Sequence, residues 1–117
     1  TSFGRSETRD CILIEARSEG LTGWGECVAD AEPGYSSETV GTAWHILRDF
    51  LVPALLKLEI DAPGDLPPRL NFVRGHLMAK GGLEMALWDL YGKAQGQPLR
   101  ALLGGERERV DVGVSVG

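Results

Sequence analysis

Methionine, cysteine and histidine are scarce in this chain, two of each, and aromatic residues make up only 7% of it. So few cysteines and histidines leave no ligand spacing for a zinc site. Positive charge is also in short supply: 12 Lys and Arg stand against 17 Asp and Glu, a formal charge of -5. The densest basic stretch is the mixed run Glu106, Arg107, Glu108, Arg109, so a nucleic-acid surface is disfavoured. Long apolar runs are missing, and the chain does not open with a charged-then-apolar leader, so neither a membrane span nor a signal peptide is expected. A soluble protein of the cytoplasm, with no nucleic-acid or membrane partner, is the expectation. The first residue is Thr1 rather than Met, which leaves open a segment upstream of it.

Length is the remaining shortage. A chain of 117 residues supports one domain. An eight-unit strand-and-helix barrel takes about 250 residues, so a stand-alone barrel enzyme is excluded. With 43% hydrophobic and 25% charged residues the composition is globular, which excludes a disordered tail.

What is present begins with a hairpin. Residues 10–17 alternate Ile12 and Ile14 against Cys11, Leu13 and Glu15, and residues 22–28 form a partner across a Glu19-Gly20 turn. A bridge between Cys11 and Cys27 is geometrically conceivable on such a hairpin, although two unbridged thiols suit a reducing compartment better. A hairpin alone is marginal, so a covering helical layer and a further strand upstream of Thr1 are both expected.

After Pro33-Gly34 the period becomes helical. Val40, Ala43, Trp44, Leu47, Leu51, Ala54, Leu55 and Leu58 fall on one face, with Ser36 or Ser37 as N-cap and Glu38 near the positive end of the dipole. Pro53 predicts a kink or break near Val52. Residues 61–68 predict a loop or a helix start. A second helix is predicted over about 78–95, with one apolar face of Leu83, Ala86, Leu87, Leu90 and Ala94 and another of Met85, Trp88 and Tyr91. Gly96 supplies its left-handed cap and Pro98 blocks continuation. Residues 99–103 form a short helical turn before Gly104 and Gly105. The valines at 110, 112, 114 and 116 alternate with Asp111, Gly113 and Ser115 as in a strand.

No self-sufficient active site emerges. His45 and His76 have no Ser or Cys partner with an orienting acid. Glu84 and Asp89 lie on different faces of one helix and are poor co-ligands for a metal. Asp89 and Lys93 make an i, i+4 surface pair. Gly23-Trp24-Gly25-Glu26 lacks the third glycine and following helix of a nucleotide fingerprint. Phe3, Tyr35 and Met78 stand out as apolar residues in irregular segments.

Taken in order, Gly23-Trp24-Gly25-Glu26, Leu83-Glu84-Met85-Ala86-Leu87-Trp88-Asp89-Leu90, Gly96-Gln97-Pro98-Leu99, Leu102-Leu103-Gly104-Gly105 and residues 110–117 resemble the N-terminal region of the enolase superfamily. The likeness runs over essentially the whole chain and looks like the muconate lactonizing enzyme subgroup. Three segments are most similar to o-succinylbenzoate synthases and the related N-acylamino acid (N-succinylamino acid) racemases. They are Thr1-Ser2-Phe3-Gly4, Glu38-Thr39-Val40-Gly41-Thr42-Ala43-Trp44 and Arg74-Gly75-His76-Leu77-Met78-Ala79-Lys80.

The resemblance implies an α+β capping domain over residues 1–108, lacking its first strand, and then the first strand of a truncated (β/α) barrel over residues 109–117. In such enzymes barrel lysines abstract a proton α to a carboxylate, and barrel carboxylates hold Mg2+. None of those residues is in this chain, so catalytic and metal-binding residues are both expected to be none here. The capping domain would supply substrate binding through two loops. The first spans residues 1–6 and carries Phe3. The second spans residues 28–35, with Ala29 and Tyr35 lining an acyl-group pocket that the small Ala29 leaves roomy. Ser115 would face the site from the end of the first barrel strand. Phe3 and Tyr35 alternatively plug a domain interface. The implied partners are a small-molecule carboxylate, the protein's own C-terminal barrel and further copies of the parent enzyme, with the 117-residue chain inactive by itself. A free-standing non-catalytic α+β interaction module remains a rival reading, as does a dipeptide epimerase or muconate cycloisomerase relative.

Overall fold

The computed structural model describes residues 8–116. Strands β1 (Ile12–Ser18) and β2 (Leu21–Cys27) form an antiparallel hairpin with Ile12 opposite Cys27 and Ser18 opposite Leu21. Glu19 and Gly20 both have positive φ, 51° and 80°, the backbone that a tight two-residue turn requires to match strand twist. Among the described residues the sheet has these two strands. The further strand expected upstream of Thr1 lies outside them.

Strand alternation separates the cysteines. Cys27 shares the buried face with its cross-strand partner Ile12, whereas Cys11 is exposed. A one-residue offset reverses the side-chain direction, and both thiols are free.

The first helical stretch divides into α1 (Val40–Ile46), a π-helical segment Leu47–Leu51 and α2 (Val52–Leu55). The break predicted at Val52 therefore takes the form of a π-bulge. Pro53 has no N–H to give the carbonyl four residues back, and its ring crowds that carbonyl. The ladder lengthens instead, with Val52 N–H donating to Leu47 O, an i to i-5 bond. Ala43, Leu47 and Leu51 are buried, while Trp44, expected on that face, is 54% exposed. The helix stops before Leu58, which still packs against the core.

Its N-cap is Thr39 rather than Ser36 or Ser37. Thr42 N–H donates to Thr39 Oγ1 at 3.1 Å and Thr39 N–H donates to Thr42 Oγ1 at 2.9 Å, a reciprocal capping box. A 3-10 turn (Pro63–Asp65) leads into α3 (Leu66–Arg69), placing Leu66 and Leu70 fully in the core.

Helix α4 (Leu77–Gln95) lies across the hairpin and buries Ala79, Gly82, Leu83 and Ala86. Its second apolar face is not enclosed: Met85 is exposed, while Trp88 and Tyr91 are half-buried and meet edge to face at 6.2 Å. Gly96 caps it in the left-handed region at φ 66°, and Gln97 N–H reaches back to Gly92 O at 3.0 Å. Helix α5 (Leu99–Leu102) follows.

Residues 110–116 do not form the expected strand. Val110, Val112, Val114 and Val116 all stand exposed, because alternation supplies a face for a strand but not the neighbouring ladder it needs.

Candidate functional site

The pairing of Ile12 with Cys27 brings the segment entering β1 and the loop leaving β2 to one end of the hairpin. Arg9 joins them: its guanidinium donates to the Val28 carbonyl and lies 3.1 Å from Asp30 Oδ1. The Asp30 carbonyl accepts from Val40 N–H at 2.8 Å, fixing the loop to the start of α1. Between these anchors residues 31–35 are exposed, ending in Tyr35 at 71%.

The far foot of the loop is held by Glu38, which is only 6% exposed. Its Oε1 accepts from Met78 N–H at 2.9 Å and its Oε2 from Ala79 N–H at 2.8 Å. Those amides belong to the first turn of α4, whose own N-cap, His76, makes no side-chain capping bond. Glu38 therefore serves the dipole of α4, not that of the helix it precedes. A carboxylate bonded to two orphan amides at a helix start contributes about 1.5–3 kcal/mol per charge-assisted bond. Ser36 Oγ donates to the Glu38 carbonyl at 3.1 Å, adding a local tie. Cys27 is buried nearby, and burial pushes its thiol pKa up, with the Glu38 charge acting in the same direction and the Ala29 amide opposing it.

Of the substrate-binding residues expected from sequence, Phe3 lies outside the described residues. Ala29 is fully buried in the core cluster that contains Cys27 and Ala43. Tyr35 projects from the exposed loop, and Ser115 sits in the exposed C-terminal segment. None of Ala29, Tyr35 and Ser115 lines either of two open grooves found among the described residues. One groove, of about 330 Å³, lies between Ile46, Phe50, Phe72 and Arg74, and the other, of about 290 Å³, between Asp89, Lys93, Gln97 and Leu99. Arg9, Asp30 and Glu38 escaped sequence reasoning as loop anchors. An acidic residue just before a capping Thr points equally to its own helix, and nothing local reveals a partner 40 positions away.

The Gly23-Trp24-Gly25 motif is a packing surface. A Cβ on Gly25 would run into the Gly82 carbonyl oxygen and sit 2.8 Å from Ala86 N. A Cβ on Gly23 would meet the Ala86 carbonyl and lie 2.5 Å from Leu90 N. The free edge of β2 is closed by α4 as well: Asp89 Oδ2 accepts from Trp24 N–H at 2.8 Å and from Lys93 Nζ at 2.9 Å, and Lys93 Nζ donates to the Thr22 carbonyl at 2.8 Å. The pair expected as a surface i, i+4 contact thus clasps the strand.

With this geometry in view, the match to known proteins is decisive. The family described as mandelate racemase / muconate lactonizing enzyme, N-terminal domain, covers residues 1–104. The chain belongs to that family. Among curated relatives, the o-succinylbenzoate synthase of Geobacillus kaustophilus is 48% identical over 118 residues, taking in 100% of this chain and 32% of the relative. The N-succinylamino acid racemase of an Amycolatopsis species is 45% identical over 117 residues, again 100% of this chain and 32% of the relative. An enolase-superfamily member from Enterococcus faecalis V583 superposes with a TM-score of 0.89 at 38% identity, covering 99% of this chain and 32% of that one. The chain thus spans about a third of the length of these relatives, and its architecture is that of the enolase-type N-terminal capping domain.

In this N-terminal domain the remaining polar groups hold structure. His45 Nδ1 lies 2.8 Å from Asp49 and its ring meets Phe50 edge to face. Arg48 binds Asp49 through two bonds at 2.8 and 3.0 Å, and this contact holds the Asp49 carboxyl below its usual range. His76 occupies a left-handed N-cap at φ 55° with its Nδ1 3.3 Å from the Arg74 carbonyl. Glu84 accepts from Trp88 Nε1 at 3.3 Å. Among the described residues no three His, Cys, Asp or Glu side chains gather as a metal site, so the Mg2+ implied by the resemblance finds no ligand set in them. No helix is long and apolar enough to cross a membrane.

Proposed function

We propose that this chain is the substrate-capping region of a magnesium-dependent enolase-superfamily enzyme, an o-succinylbenzoate synthase, an N-succinylamino acid racemase, or an enzyme with both activities. The observation that carries the reading is the 48% and 45% identity, end to end, to relatives bearing those names. In this reading the chain closes over a (β/α) barrel supplied by a longer protein. Proton abstraction α to the substrate carboxylate and the binding of Mg2+ both fall to that barrel. The chain itself reads the substrate and excludes water from a site where a weak carbon acid is deprotonated.

The loop from residue 28 to 39 suits this task because its two feet are bonded to the hairpin, α1 and α4 while its tip is exposed. Tyr35 at that tip is the proposed acyl-group contact, with Phe3 and Ser115 as further proposed substrate contacts. Ala29, fully buried in the core, supports the start of the loop and makes no substrate contact of its own. Exposed Leu13, Trp24, Phe50 and Phe72 offer apolar surface for contact with the rest of a longer chain.

A domain exchange tests the proposal. This chain replaces the corresponding third of the Geobacillus kaustophilus relative, and the chimera is assayed with Mg2+ for dehydration to o-succinylbenzoate and for racemisation of an N-succinylamino acid. Turnover of either substrate is expected, and none from the 117-residue chain alone. A chimera that folds and dimly or wholly fails both assays while the unexchanged relative works overturns the reading.

A further inference from the structure

We infer that Glu38 is a positioning residue that latches the foot of the Tyr35 loop to the first turn of α4, so that the order of the loop is coupled to that helix end. The inference rests on the reading of the 28–39 loop as the substrate-facing element, but its test does not depend on turnover.

Three observations carry it. Glu38 is the buried charged residue of the described core, and both its carboxylate oxygens are occupied, by Met78 N–H and Ala79 N–H. Burying a carboxylate is costly unless its oxygens are bonded, so the loop foot and the helix start are each the other's condition: if either departs, a buried charge or two orphan amides are left. The helix has no substitute cap, because His76 enters it in the left-handed region with no side-chain bond to the first turn. The loop also has no regular secondary structure over residues 31–37, and both of its ends are anchored. One end is the Asp30 carbonyl on Val40 N–H; the other is Glu38, with Ser36 Oγ bonded to the Glu38 carbonyl. Tyr35 is three residues from this second anchor.

Glu38→Gln keeps the shape and removes the charge and one acceptor. Backbone relaxation by NMR on the 117-residue chain is expected to show order parameters over residues 31–37 falling from about 0.85 to below about 0.6, with β1 and β2 unchanged. Chymotryptic cleavage after Tyr35, followed by mass spectrometry, should quicken by about tenfold or more, the scale of one lost charge-assisted bond. Amides 78 and 79 should lose hydrogen-exchange protection at the same time. A merely structural role gives a different pattern: a lower unfolding midpoint with loop order and cleavage unchanged, and that result overturns the proposal. If Glu38→Gln does not fold, Glu38→Asp, one methylene too short to reach both amides, and Ser36→Ala at the half-buried local tie carry the same readouts. A folded variant of either kind that leaves the loop as ordered as before also overturns it.

Discussion

Gly25 and Gly82 face each other so closely that a Cβ on Gly25 would clash with the carbonyl oxygen of Gly82. Backbone meets backbone there, so no side chain can turn aside to make room. Gly25→Ala and Gly23→Ala should each destabilise the chain by at least the upper end of the roughly 1–3 kcal/mol typical of overpacking. Gly81 supplies the contrast. It lies in the same helix with nothing within 4 Å of its would-be Cβ, so Gly81→Ala should stabilise by about 0.5–1 kcal/mol through helix propensity. Urea unfolding midpoints for the three variants check both signs.

Asp89 makes acid stability depend on the clasp over β2. Lys93 and the Trp24 amide hold its carboxyl pKa below the usual value of 3.8. A folded-state pKa below the unfolded one gives stability that is present above the unfolded value and is lost as pH falls through the folded one. Asp89→Asn should therefore lower stability near neutrality by a modest amount, since the group is partly solvated. It should also flatten the acid limb, so that variant and parent converge once pH has fallen through the lowered folded-state pKa of Asp89. Thermal unfolding from pH 2 to 7 gives the comparison.

The thiols should behave as two separate populations. Cys11 is exposed, whereas Cys27 is buried and its pKa raised by burial, which keeps it as the unreactive thiol. A thiol reagent at pH 8 should modify one group rapidly and the second only on unfolding. Non-reducing and reducing electrophoresis should show the same monomer mobility.

Tyr35 should matter for substrate and little for stability. It is exposed at the loop tip, and surface substitutions of this kind usually stay within about 0.5 kcal/mol. In the domain-exchange chimera, Tyr35→Ala should raise KM for the acylated substrate by about tenfold, the scale of one apolar contact, with the melting temperature preserved. An unchanged KM would reassign Tyr35 to the domain interface.

Sequence by itself determined the hairpin and its turn, the long helix with its Gly96 cap, and the break caused by Pro53, because each depends on local backbone chemistry: alternation, period, a left-handed glycine, a missing donor. The Gly-Trp-Gly motif was visible as a motif, but not as a packing surface. Only the tertiary structure decided that, since the atoms it must clear belong to Gly82 and Ala86 on another element. The same holds for Glu38 and for Asp89, whose bonds run to Met78, Ala79 and Trp24. It also set the valine-rich end apart: alternation alone cannot make a strand of residues 110–116. A carboxylate announces that it needs donors, but which donors it finds is decided by how distant segments meet.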